Sequence, residues 1–151
     1  MKPFQFSLNT VLDVRSNEEQ MARAVHAVAQ EALEAILLQR RSVERTIESN
    51  LLACRQVYDE QVNSGTIARL QSALRELRVQ LKAFEPEVRR LQDEVDAKWQ
   101  LLLQASQRRE ALDKLKEKQY SAHLKEGSRT EQKVIDEMVL LRAASGLGQK
   151  L

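Results

Sequence analysis

The sequence predicts an all-α chain, a long two-helix antiparallel coiled-coil hairpin in which the second helix is the longer. Three observations predict it. Ala, Glu, Lys, Leu and Arg make up roughly half of the residues, a composition of coiled coils and long helices. Only 2 prolines and 4 glycines interrupt the 151 residues. Apolar residues recur at Leu70, Leu74, Leu77, Leu81, Phe84, Val88, Leu91 and Val95. Those steps alternate four and three, a heptad seam that a partner helix must cover.

Helix 1 is expected over about 8–62. Ser7 can cap its start, with Phe6 and Val11 spaced as a hydrophobic staple; Ser16 with Glu19 in a capping box is a rival start. Val25, Ala29, Ala32 and Ile36 open a less regular seam that continues through Val43, Ile47, Leu51, Cys54 and Tyr58. Consecutive four-residue steps at Val43, Ile47 and Leu51 read as a stutter, which locally unwinds a left-handed supercoil.

The turn is expected at 63–66, where Asn63-Ser64-Gly65-Thr66 joins helix-stop and helix-start signals. Gly65 suits the left-handed position past a helix end, and Thr66 or Ser64 can cap the next helix. Helix 2 is then expected over about 66–143, with a kink at Pro86, a soft point at Gly127 and a flexible tail over 144–151. Its seam is expected to pass from Val95 through Trp99 and Leu102 and to weaken toward Arg109, Leu112 and Gln119. Folding about residue 65 brings Leu12 near Lys118 and leaves about 123–143 unpaired, with an apolar stripe of Val134, Ile135, Met138 and Leu141. An isolated helix of that length is marginal in water, so the overhang points to another protein.

The same features exclude functions. With 3 Phe, 2 Tyr, 1 Trp and so few turn formers, an all-β or loop-rich α/β enzyme is ruled out, and no glycine-rich phosphate loop is present. One cysteine, Cys54, gives no disulfide framework and reads as a small seam residue. His26 and His123 have Gln30 and Gly127 at their i+4 positions, so no metal site is expected. Asp136-Glu137 is a carboxylate pair on a helix without a pocket, and no catalytic residue and no cofactor are expected. Charge is balanced, 24 basic against 22 acidic side chains, and Arg40-Arg41, Arg89-Arg90 and Arg108-Arg109 lie among acids and glutamines. That is a solvated face and not the concentrated basic surface of a nucleic-acid binder. No apolar run reaches membrane-spanning length, and the opening Met1-Lys2-Pro3-Phe4 lacks a secretory signal, so a cytoplasmic chain is expected.

Three segments together resemble the flagellar export protein FliJ family and its type III secretion counterparts. Phe4-Gln-Phe-Ser-Leu-Asn-Thr-Val-Leu-Asp-Val-Arg15 is similar to the family's opening F-x-F-x-L-x-x-L-L-x-x-[KR]. The turn with its adjoining seam, Ser64 through Leu81, is the second. Leu112 to Tyr120, together with Arg129-Thr-Glu-Gln-Lys-Val-Ile-Asp-Glu137, resembles the family's late pattern of mixed charge ending in Asp-Glu. The first and third weigh most, because they stand off the seam.

The resemblance implies a non-catalytic stalk component of the flagellar type III export apparatus, similar to the coiled-coil part of the rotary ATPase γ subunit. Implied partners are the hexameric export ATPase, the cytoplasmic domain of the membrane export gate, and export chaperones. The implied place is the cytoplasmic face of the inner membrane at the flagellar basal body, in the service of motility and chemotaxis, with no insertion into the membrane. A six-fold ring around one asymmetric rod cannot match symmetry, so mixed charge suits the contact. The expected ring-contacting tip is Phe4, Phe6, Leu8, Arg129, Lys133, Asp136, Glu137 and Met138. The turn end with Leu70, Leu74, Leu77 and Leu81 is the expected gate contact, although helix 1 can also cover those leucines as core. A monomer is expected in isolation. Alternatives are a virulence-type secretion stalk, a homo-oligomeric coiled coil pairing through Leu70–Val95, and a nucleic-acid-binding hairpin.

Overall fold

A coiled-coil seam closes only where each helix returns a side chain to the same face every three and four residues, and both helices here keep that rule. The computed structural model describes residues 2–60 and 63–148, and they form two α-helices, α1 (Asn9–Asp59) and the longer α2 (Ser64–Gly148). No strand occurs among the described residues. The chain divides into two units: residues 19–104, and residues 1–18 together with 105–151.

In the 19–104 unit, α2 turns Ile67, Leu70, Leu74, Leu77, Leu81, Phe84, Val88, Leu91, Val95, Lys98 and Leu102 inward, each buried or half-buried. The strict register thus passes through Lys98; Trp99, expected on the seam, is 48% exposed. The α1 side differs more from expectation. Its inward positions are Glu19, Ala22, His26, Ala29, Leu33, Ile36, Arg40, Val43, Ile47, Asn50, Cys54 and Val57, an unbroken three-four alternation with no stutter. Val25, Leu51 and Tyr58 are 47%, 39% and 57% exposed, and Ala32 is exposed too. The seam tolerates His26, Arg40 and Asn50 because a two-helix interface is narrow. Arg40 lays its stem there with the Glu44 carboxylate 3.7 Å from its Nε, and His26 is buried against the Trp99 ring.

The turn is built differently from expectation. The Asn63 side-chain oxygen accepts a hydrogen bond from the Gly65 N–H (3.3 Å) and its carbonyl accepts one from the Thr66 N–H (3.0 Å). Asn63 is therefore the N-cap of α2. Gly65 lies in the first helical turn with no left-handed backbone, and Ser64 and Thr66 are helical residues, not caps. Helix α1 ends at Asp59; positions 61 and 62, up to which it was expected to run, lie outside the described residues. The pairing stays close to folding about residue 65 beside the turn and departs from it farther along the helices. His26 packs against Trp99 with ring centroids 5.4 Å apart, where folding about 65 would bring position 104. Near the turn, Gln71 Nε2 donates to Tyr58 Oη at 3.3 Å.

In the other unit, α1 starts at Asn9, where the Phe6 carbonyl accepts the Asn9 N–H at 3.1 Å. Ser16 lies inside α1, so the rival helix start there is not used. Phe6 is only 8% exposed while Val11 is 41% exposed, so Phe6 is no staple to Val11. Its ring lies 6.0 Å from Lys116 Nζ of α2, and that ammonium donates to Asn9 Oδ1 at 3.2 Å. Lys118, the expected neighbour of Leu12, is exposed.

Helix α2 runs without interruption through Pro86, Gly127 and residues 144–148, so the flexible tail expected from 144 is helical as far as Gly148. Pro86 is exposed, off the seam between Phe84 and Val88. The carbonyl it leaves unbonded, that of Lys82, belongs to an exposed residue that water can reach. Gly127 is buried, and its carbonyl accepts a hydrogen bond from Thr130 Oγ1 at 2.7 Å.

Candidate partner-binding surfaces

Within the unit of residues 1–18 and 105–151, α2 keeps its three-four register through Ala105, Arg109, Leu112 and Lys116. The stripe then moves to Tyr120, which is 47% exposed, half-buried His123 and buried Gly127. Phe4 covers it, its ring centroid 5.3 Å from that of Tyr120 and 5.6 Å from that of His123. Beyond Gly127 the cover stops. Every residue from Ser128 to Gly146 is exposed, among them Val134 (49%), Ile135 (53%), Met138 (56%) and Val139 (59%). The unpaired stretch thus begins about five residues later than the expected 123.

The expected tip residues do not form one patch. Arg129, Lys133 and Asp136 succeed one another at steps of four and three and share one face of the exposed helix. Asp136 accepts from Gln132 Nε2 (3.0 Å), and neither Arg129 nor Lys133 makes an ion pair among the described residues. Met138 stands on the opposite side, since nine residues from Arg129 amount to two and a half turns. Glu137 lies at the flank between them. Phe4 is half-buried, Phe6 is buried, and both are spent on α2; Leu8 is 37% exposed and its carbonyl starts α1 by accepting the Leu12 N–H.

At the turn end, Leu74 is 6% exposed and Leu70, Leu77 and Leu81 are half-buried in the seam of the 19–104 unit. Only the edges of these leucines are open. The accessible apolar side chains nearby are Leu51, Leu52, Tyr58 and Val79. A shallow groove of Leu51, Cys54, Tyr58, Gln71, Leu74, Arg75 and Arg78 lies among them.

Apolar spacing alone missed Glu19, His26, Arg40 and Asn50 as seam residues. The signal was available: the alternation of α2, laid over α1 and carried through polar positions, selects them. Among the described residues no group of His, Cys, Asp and Glu is arranged to hold a metal, and no helix is long and apolar enough to cross a membrane.

The comparisons with known proteins agree with this architecture. A solved structure of a protein described as a YscO homolog, from Chlamydia trachomatis, is similar to the chain with a TM-score of 0.53 and 24% identity. The match covers 92% of this chain and 94% of that one, a likeness of fold. No curated protein matches. The model of the flagellar FliJ protein family matches residues 4–147, nearly the whole length. The chain belongs to the flagellar FliJ protein family.

Proposed function

We propose that this chain is a non-catalytic stalk component of the flagellar type III protein export apparatus. The bare part of α2 enters the central hole of the hexameric export ATPase and promotes its activity. The turn end reaches the cytoplasmic domain of the membrane export gate, and export chaperones are further partners. The protein works at the cytoplasmic face of the inner membrane, at the flagellar basal body.

One observation carries this reading: in a FliJ-family chain, α2 continues bare from Ser128 to Gly146. A helix without tertiary cover gains order by docking, and docking is the role a stalk requires. Arg129, Lys133 and Asp136 on one face supply mixed charge, which suits a ring that meets one rod with six copies of the same surface. The phenylalanines contribute by position. Phe4 and Phe6 pack on α2 just before the bare stretch and hold its base, while Leu8 offers an exposed edge. In the 19–104 unit, the gate would meet the edges of Leu70, Leu74, Leu77 and Leu81 with the exposed side chains beside them.

The test measures the rate of purified export ATPase against added protein, and capture of the gate domain in parallel. Removal of residues 128–151 should abolish ATPase stimulation and leave gate capture intact. Stimulation that survives this removal excludes the bare helix as the ring contact.

A further inference from the structure

We propose that the bare stretch of α2 also pairs with the same stretch of a second copy of this chain, antiparallel, about a two-fold axis between Asp136 and Glu137. Glu131, Ile135, Met138 and Arg142 succeed one another by four, three and four residues, so they lie along one face in coiled-coil register. Val134 and Val139 flank them. All six are exposed, the four apolar ones by 49–59%.

The order of these residues is a palindrome in chemistry. Turned about the two-fold axis, Ile135 meets the partner's Met138 and Val134 meets the partner's Val139. Glu131 meets the partner's Arg142, and each contact occurs twice. Two ion pairs thus close the ends of an apolar centre, as charges flanking a coiled-coil seam do. Neither Glu131 nor Arg142 makes an ion pair within its own chain among the described residues. A parallel pair would set Glu131 on Glu131 and Arg142 on Arg142, like charge on like, which selects the antiparallel arrangement. Hence the occupant is a copy of the chain and not an arbitrary helix.

The face is also free of the hairpin. The heptad frame of α2, carried on from Lys116, falls on Thr130, Lys133, Glu137 and Leu140, roughly the opposite side of the helix. Pairing therefore leaves the seam undisturbed. The contact spans only about 17 Å along the helix. It sits below the ~1,200 Å² of standard interfaces, so the pair forms at high concentration and the monomer prevails when dilute. This inference does not depend on the export reading, and its failure leaves that reading standing.

Sedimentation velocity on the full chain, from about 10 μM to about 1 mM, tests it. The mass should rise from 17.3 kDa toward twice that value. Glu131→Arg alone and Arg142→Glu alone should each move association to concentrations about ten-fold higher, by placing like charges together. The combined variant, with both substitutions in every copy, should restore it. All substituted positions are exposed, so helix content should not change. A mass that stays monomeric throughout, single variants that associate like the parent, or a combined variant that fails to recover would each overturn the proposal.

Discussion

At the scale of single residues, stability concentrates where a side chain sits on the seam. Leu74 is 6% exposed between the helices, whereas Val79, five positions on, is 68% exposed. Truncating Leu74 to Ala should cost about 2–3 kcal/mol, and Val79→Ala should stay within about 0.5 kcal/mol. Denaturant unfolding monitored by helical ellipticity measures both, and equal losses would contradict the assignment of the seam. The same contrast separates Phe6 from Leu8. Both belong to the opening that resembles the family motif, yet one is buried against α2 and the other is 37% exposed. A motif match identified the segment; which side chain is buried depends on where α2 passes.

At the scale of elements, the two helices differ in how openly they state their register. The inward positions of α2 from Leu70 to Val95 are all apolar, so periodicity read them directly. In α1 a third of the inward positions from Glu19 to Val57 are polar, while Val25, Leu51 and Tyr58 are apolar and exposed. Apolar spacing therefore found Ala29, Ile36, Val43, Ile47 and Cys54 but joined them to exposed neighbours, which produced a stutter that the helix lacks. Arg40 shows what such a position costs. Its Nε is buried without a hydrogen bond, and the Glu44 carboxylate, at 3.7 Å, is close enough for an ion pair but too far for that bond. Arg40→Leu should raise stability by about 1–2 kcal/mol, because a packed apolar side chain replaces a poorly satisfied charge. Thermal melting decides it, and a lowered midpoint would show that the guanidinium stabilises the seam. The cap of α2 was equally hard to read. Asn63, Ser64 and Thr66 are all good capping residues, and only the hydrogen bonds to Gly65 and Thr66 pick out Asn63.

At the scale of the whole molecule, the fold class was legible because composition and heptads both describe a chain that makes helices and little else. The family was legible from segments off the seam, where coiled coils do not resemble one another by default. The surfaces were less so: residues close in sequence, such as Lys133, Asp136 and Met138, are parted to opposite sides by the turn of the helix. The narrow seam has one more consequence, and it concerns heat. Among the described residues none is less than 2% exposed with a large side chain, so unfolding releases little new apolar surface per residue. The heat-capacity increment should therefore fall below the ~12–15 cal/mol/K per residue of globular domains, as differential scanning calorimetry can measure. A small increment flattens the dependence of stability on temperature, so the protein should keep nearly the same margin against unfolding in the cold as at moderate warmth.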